Sequence, residues 1–160
     1  MNAENAPHRL RALPSWLLGQ ASAAARRVVG DVLTRNGVHR SQYALMASLE
    51  EFGPLSQTAL SDRTGLDRSD VVRWVDDLAD RGIAERRQDP SDRRRNVISI
   101  TDLGRHRLGE LDTQLADAQR ELLTALSTDE REQLVLLLGR VLGFDGGPAA
   151  APTGLSRRRP

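Results

Sequence analysis

Two groups of side chains have the types and spacing to meet a nucleic-acid duplex. The first is Arg68, Ser69, Asp70 and Arg73, gathered in the opening turns of a stretch with helical periodicity. A helix fits the major groove, where base edges carry a distinguishing donor and acceptor pattern, and its N-terminal half usually does the reading. Arg73 suits a guanine edge or a phosphate, whereas Asp70 suits a helix cap or a cytosine amine. The second group lies in Asp89-Pro90-Ser91-Asp92-Arg93-Arg94-Arg95-Asn96, between two short apolar runs. Arg86, Arg87, Arg93, Arg94 and Arg95 face only Asp89 and Asp92 there. That self-repulsion calls for an anionic partner. A helix for one groove and an arginine-tipped finger for the next is the chemistry on offer.

Other chemistries are excluded or unsupported. The chain has no cysteine, hence no disulfide, thiolate metal site or thiol redox switch. His8, His39 and His106 have no metal-ligand spacing, so no metal is expected and the capping position of His39 is its better use. No nucleophile–base–orienter set and no phosphate-cradling loop is present, so neither an enzyme nor a cofactor is expected. Formal net charge is only +1, and every one of the 23 basic residues is arginine, so an electrostatic footprint must be local. The longest apolar run, Leu134 to Leu138, is far too short to span a bilayer, and the N-terminus lacks the apolar core of a signal peptide. These features predict a soluble, cytoplasmic protein with no membrane partner.

The elements that must position those side chains follow from periodicity and caps. The 160 residues suffice for one domain, and an aromatic content of 3% leaves a core of Leu, Val and Ala. Residues 1–12 read as a flexible N-terminus. A first helix over 13–36 carries Leu13, Leu17, Ala21, Ala24, Val28 and Val32. A second begins at His39, with Gln42 at the capping-box position, and stops at Gly53-Pro54. Ser56 caps a short third helix that ends at Thr64-Gly65-Leu66, and Asp67 caps a fourth with Asp70 at the box position. Residues 83–88 and 97–100 form a hairpin around the charged loop. Thr101 caps a fifth helix whose Leu108, Leu111, Leu115, Ala118, Leu122 and Ala125 make a heptad seam and require a partner helix. Ser127 and Glu130 box the start of a sixth, which runs to about Leu142. The apolar surface of that helix, with Leu13 and Leu17, exceeds what the central unit can cover, which predicts that the chain ends pack together and dimerise. Residues 143–160, ending in Arg157-Arg158-Arg159-Pro160, read as a disordered tail. The expected fold class is mainly α, an α+β winged helix. It has six helices, a two-stranded β wing, a helix-turn-helix over 55–101, and dimerisation helices over 13–36 and 102–142.

The segment from Gly53 through Thr101 closely resembles the winged-helix core of the MarR family (multiple antibiotic resistance regulators). The wing Asp89-Pro90-Ser91-Asp92-Arg93-Arg94-Arg95-Asn96-Val97-Ile98-Ser99-Ile100-Thr101, with its D-x-R element at Asp92 and Arg94, carries the likeness most strongly. Residues 60–67 and 78–86 are similar to the family's third helix and recognition-helix exit, and the flanking helices extend the match to about Leu13 to Leu142. The resemblance implies a homodimeric transcription factor, typically a repressor on a pseudo-palindromic operator in double-stranded DNA, released by a small effector that is often aromatic or phenolic. It also implies DNA contacts by Ser69 and Arg73, insertion of Arg94 into the minor groove, and bracing of the wing by Asp92. The effector pocket would lie between the first, second and fifth helices, with Trp16, His39 and Tyr43 as candidate walls. Asp70 departs from the family's usual Thr or Ser. Because the recognition helix also holds Asp76, Asp77 and Asp80, the rival expectation is a winged-helix protein-interaction module without specific DNA binding.

Overall fold

Side-chain caps decide where most of the helices begin. In the computed structural model, which describes residues 5–88 and 96–143, the elements run α1 (His8–Arg11), α2 (Pro14–Arg35), α3 (Arg40–Phe52), α4 (Gln57–Thr64), α5 (Arg68–Asp80), β1 (Ala84–Gln88), β2 (Asn96–Ile100), α6 (Asp102–Leu122) and α7 (Thr128–Val141). His39 Nδ1 accepts from the Ser41 amide at 3.2 Å, and Gln42 Oε1 accepts from the His39 amide at 2.7 Å. Ser56 Oγ accepts from the Ala59 amide at 3.2 Å. Thr101 Oγ1 accepts from the Gly104 amide at 3.0 Å and donates to the Gly82 carbonyl at 2.7 Å, tying the start of α6 to the turn before β1.

Three expectations need correction. Seven helices, rather than six, occur among the described residues, because His8–Arg11 closes one helical turn within the stretch read as loose. The Pro7 carbonyl accepts from Leu10 and Arg11, and Leu13, preceding Pro14, is then forced into extended backbone that ends the turn. The second correction concerns α5. Asp67 has the extended backbone of a cap but its carboxylate makes no cap bond, and Asp70 turns to Arg73 instead. Third, the heptad seam is cut short: α6 stops at Leu122, and Ala125 falls in a turn closed by the Leu126 amide on the Leu123 carbonyl.

The described chain divides into two units after Leu122. In the first, Leu45, Met46, Leu49, Leu60, Val71, Val75, Leu78, Ile98 and Leu111 are buried in one cluster that draws on α3, α4, α5, β2 and α6. The partner the seam required is α2, which packs along α6 and bonds it through Asn36 Nδ2 and Gln114 Oε1 at 2.8 Å. Only Val32 and Leu33 of α2 are buried, while Leu13 and Leu17 near its start are each 48% exposed. In the second unit, the Ser127–Glu130 capping box starts α7, and the bond to Ser127 holds the Glu130 carboxyl below its ordinary value. No residue of α7 is buried. No helix among the described residues is long and apolar enough to cross a membrane.

Strands β1 and β2 pair antiparallel from Ala84↔Ile100 to Gln88↔Asn96. Leu55, just before α4, adds a bridge to Ile98 with hydrogen bonds of 3.0 and 2.8 Å in the two directions. The base of the hairpin is pinned on the other side by Gly104. A Cβ there would fall well inside contact distance of the Ile83 carbonyl oxygen and the Ile100 side chain. Gly104→Ala should therefore destabilise by about 1–3 kcal/mol, the usual range for overpacking. Gly109→Ala, on the same helix with open space around it, should stabilise by about 0.5–1 kcal/mol. Urea unfolding of both variants checks the pair, and a common sign would contradict the close approach.

Candidate nucleic-acid interface

Helix α5 sorts its side chains into three faces. Val71, Val75 and Leu78 are completely buried and anchor it to the core. Arg68, Ser69 and Arg73 are exposed on its first two turns, and Asp70 is half-buried beside them. Arg73 Nη2 lies 3.0 Å from Asp70 Oδ1, and the Arg73 guanidinium carbon sits 4.3 Å from the centre of the Trp74 ring.

Two acids of the second half, Asp76 and Asp77, are engaged elsewhere, while Asp80 is exposed. Asp76 pairs with Arg86 of β1. Asp77 accepts from Gln42 Nε2 of α3 and from Arg81 Nη1 at 3.3 Å, and the same Arg81 nitrogen reaches the Gly37 carbonyl at 3.1 Å. Gln42 is only 2% exposed, so its amide needs both of its partners, the His39 amide and Asp77. These bonds fasten the recognition helix to α3, to the turn before it and to the wing strand. They also mean that Asp76 and Asp77 neutralise scaffold cations rather than face the solvent unpaired.

Beside this face, a concavity of about 680 Å³ lies between the first turn of α4 and the hairpin, lined by Ser56, Gln57, Thr58, Asp62, Arg86 and Asn96. The wing residues Asp92, Arg93, Arg94 and Arg95 expected to touch DNA lie outside the described residues. The strands on either side of them are ordered in register, with Arg87 paired to Glu85 at 2.6 Å.

The three candidate pocket residues do not converge. His39 lines a cleft of about 620 Å³, together with Ser22, Arg26, Val29, Thr34 and Arg40. Tyr43 instead points its hydroxyl to Asp112 of α6 at 2.7 Å, and burial, followed by that bond, raises its phenol well above the ordinary value. Trp16, half-buried on α2, is not among the residues that line the cleft. Trp74 is the residue that sequence reasoning left unassigned. Its ring stacks on His39, with centroids 4.5 Å apart and planes 11° from parallel. The available signal was slight: one of two tryptophans stands next to Arg73.

Removing Asp77 tests how the helix is held. Asp77→Leu should cost about 1–3 kcal/mol, because it strands the buried Gln42 donor. Gln42→Leu should then cost less in the Asp77→Leu background than in wild type when both are measured by urea melts; additive losses would argue against the shared bond.

Comparison with known proteins adds to this geometry. The model of the MarR family matches residues 38–95. A putative transcriptional regulatory protein for the hcr operon of Thauera aromatica is 30% identical over 123 residues, covering 77% of this chain and 74% of that protein. Across three curated relatives, the matched stretch covers 64 to 74% of their length. Among solved structures, the PcaV transcriptional regulator from Streptomyces coelicolor in complex with its natural ligand superposes with a TM-score of 0.68 at 28% identity, over 86% of this chain and 97% of that one. A mutant MarR from E.coli complexed with operator DNA gives a TM-score of 0.68 over 86% of this chain and 99% of that one, and at 22% identity that likeness concerns the fold.

Proposed function

This chain belongs to the MarR family, and we propose that it is a homodimeric, sequence-specific repressor of transcription, released from double-stranded DNA by a small organic ligand. The observation that carries this reading is the sorting of charge on α5: Arg68, Ser69 and Arg73 face outward while Asp76 and Asp77 are consumed by Arg86, Gln42 and Arg81. Two of the three acids that favoured a protein-interaction module are thereby spent on the scaffold, and Asp80, at the far end of the helix, stays exposed. In the proposed complex α5 lies in the major groove, where Arg73 reads a guanine edge and Arg68 and Ser69 hold the flanking phosphates. The hairpin reaches the neighbouring minor groove. There Arg94, braced by Asp92, enters a narrow A·T-rich stretch, with Arg93 and Arg95 on the phosphates.

The homodimer is supported by the apolar side chains left open at both chain ends: Leu13 just before α2 and Leu17 on it, and Leu137 and Val141 on α7, the last 70% exposed. A pseudo-palindromic operator follows from two-fold symmetry. The cleft beside His39 offers Arg26 and Arg40 for an anionic group, with Val29 and Leu33 for an apolar body. That lining supports a small aromatic or phenolic acid as the effector, and the PcaV structure is an instance of a similar protein holding a ligand.

Binding to a duplex taken from upstream of the chain's own coding sequence, measured at two salt concentrations, tests the DNA reading. Specific binding should weaken steeply with salt as counterions are released; no binding, or salt-independent binding, would overturn it. Arg94→Ala should weaken a site with A·T-rich flanks by about tenfold, within the range of a lost groove contact, whereas Arg157→Ala should change little. Leu137→Glu with Val141→Glu should sediment as a monomer, and a dimer at unchanged stability would displace the proposed interface.

A further inference from the structure

We infer that Asp70, Trp74 and His39 are positioning residues for Arg73, forming one line from the cleft to the side chain that reads DNA. The inference rests on the proposed base contact of Arg73 and says how that contact becomes specific. Arg73 sits 3.0 Å from Asp70 through Nη2, and its guanidinium carbon lies 4.3 Å from the Trp74 ring centre. A guanidinium has five N–H donors, so one bond to Asp70 leaves donors for the O6 and N7 of a guanine. The contact with the ring needs none of them. An arginine held this way loses less conformational freedom on binding than a free one.

Trp74 is fixed in turn. It is half-buried, and His39 stacks on it at 4.5 Å with planes 11° from parallel. His39 is itself held, because its Nδ1 accepts from the Ser41 amide at the start of α3 and its backbone amide donates to Gln42. One imidazole thus caps a helix, backs the tryptophan and lines the 620 Å³ cleft. A cleft occupant that displaces this ring displaces the support of Arg73.

Asp70 has a second effect. Its carboxylate repels the phosphates that an unguided arginine would seek, so it penalises nonspecific binding more than the base-reading mode. This assigns a role to the acid that the sequence left open between capping and a cytosine contact.

The test is a set of double-mutant cycles. The probes are the duplex that wild-type protein selects from a randomised library and the same duplex with one guanine pair under α5 exchanged. The quantity is the ratio of the two affinities. Asp70→Asn, Trp74→Leu and His39→Asn should each lower that ratio about two- to fivefold, the scale of a lost exposed cation–π or ion-pair restraint. None should lower it further in an Arg73→Ala background. Asparagine is itself a good cap, so His39→Asn keeps the start of α3 while deleting the stack, and its melting temperature should stay near wild type. Should Trp74→Leu fail to fold, the cycles at Asp70 and His39 decide the matter. Equal losses in the presence and absence of Arg73 would overturn the positioning role and leave the DNA contact standing. A wild-type ratio in Arg73→Ala itself would instead remove the base contact.

Discussion

A buried amide must satisfy a donor and an acceptor at once, and Gln42 does so on two different elements. Its oxygen takes the amide of His39 and its nitrogen gives to Asp77 on α5. Leaving either end unpaired at 2% exposure would cost about 1–3 kcal/mol, a sizeable share of a small domain's stability. The crossing of α3 and α5 is therefore specified by geometry as well as by packing. Hydrophobic contact alone among Leu45, Leu49, Val71 and Val75 is non-directional and would tolerate some sliding. Arg81, shared between Asp77 and the Gly37 carbonyl, extends the same specification to the turn that follows α2.

The electrostatics of the recognition helix follow from that arrangement. A net charge of +1 is unpromising for binding a polyanion. The useful quantity is the charge that remains after the scaffold has taken its share. Asp76 and Asp77 are turned to Arg86, Gln42 and Arg81, while Arg68 stays exposed and Arg73 meets Asp70 on the outward face. Exposed ion pairs of this kind contribute little to stability. Their effect is on where the positive potential is presented.

Much of this was legible in the sequence, and the rest was hidden for identifiable reasons. The caps at His39, Ser56, Thr101 and Ser127 were readable because a cap is a local device, with partners two or three residues away. The inward faces of α3, α5 and α6 were readable from spacing. Asp67 and Asp70 misled because Asp70 stands both in a capping-box spacing with Asp67 and in an i,i+3 ion-pair spacing with Arg73, and the structure takes the second. The Gln42–Asp77 bond and the His39–Trp74 stack join residues 35 positions apart, a separation at which periodicity carries no information. The spread of the three candidate pocket residues was hidden for a related reason. Three aromatic or imidazole side chains were plausible walls, but the bond from Tyr43 to Asp112 commits that ring to α6.

The bridge between Leu55 and Ile98 has a mechanical consequence. Two hydrogen bonds of 3.0 and 2.8 Å rivet the middle of β2 to the residue that leads into α4, and Thr101 and Gly104 clamp the other end of that strand. The base of the hairpin and the helix-turn-helix thus form the two jaws of a caliper with a fixed gap. A caliper does not adapt to what it measures. If a duplex engages both jaws, as proposed, its grooves would have to come to that gap, and stiffness and groove width would be gauged along with base identity. Sites differing only in bases that no side chain touches would then be told apart by how easily they bend to fit.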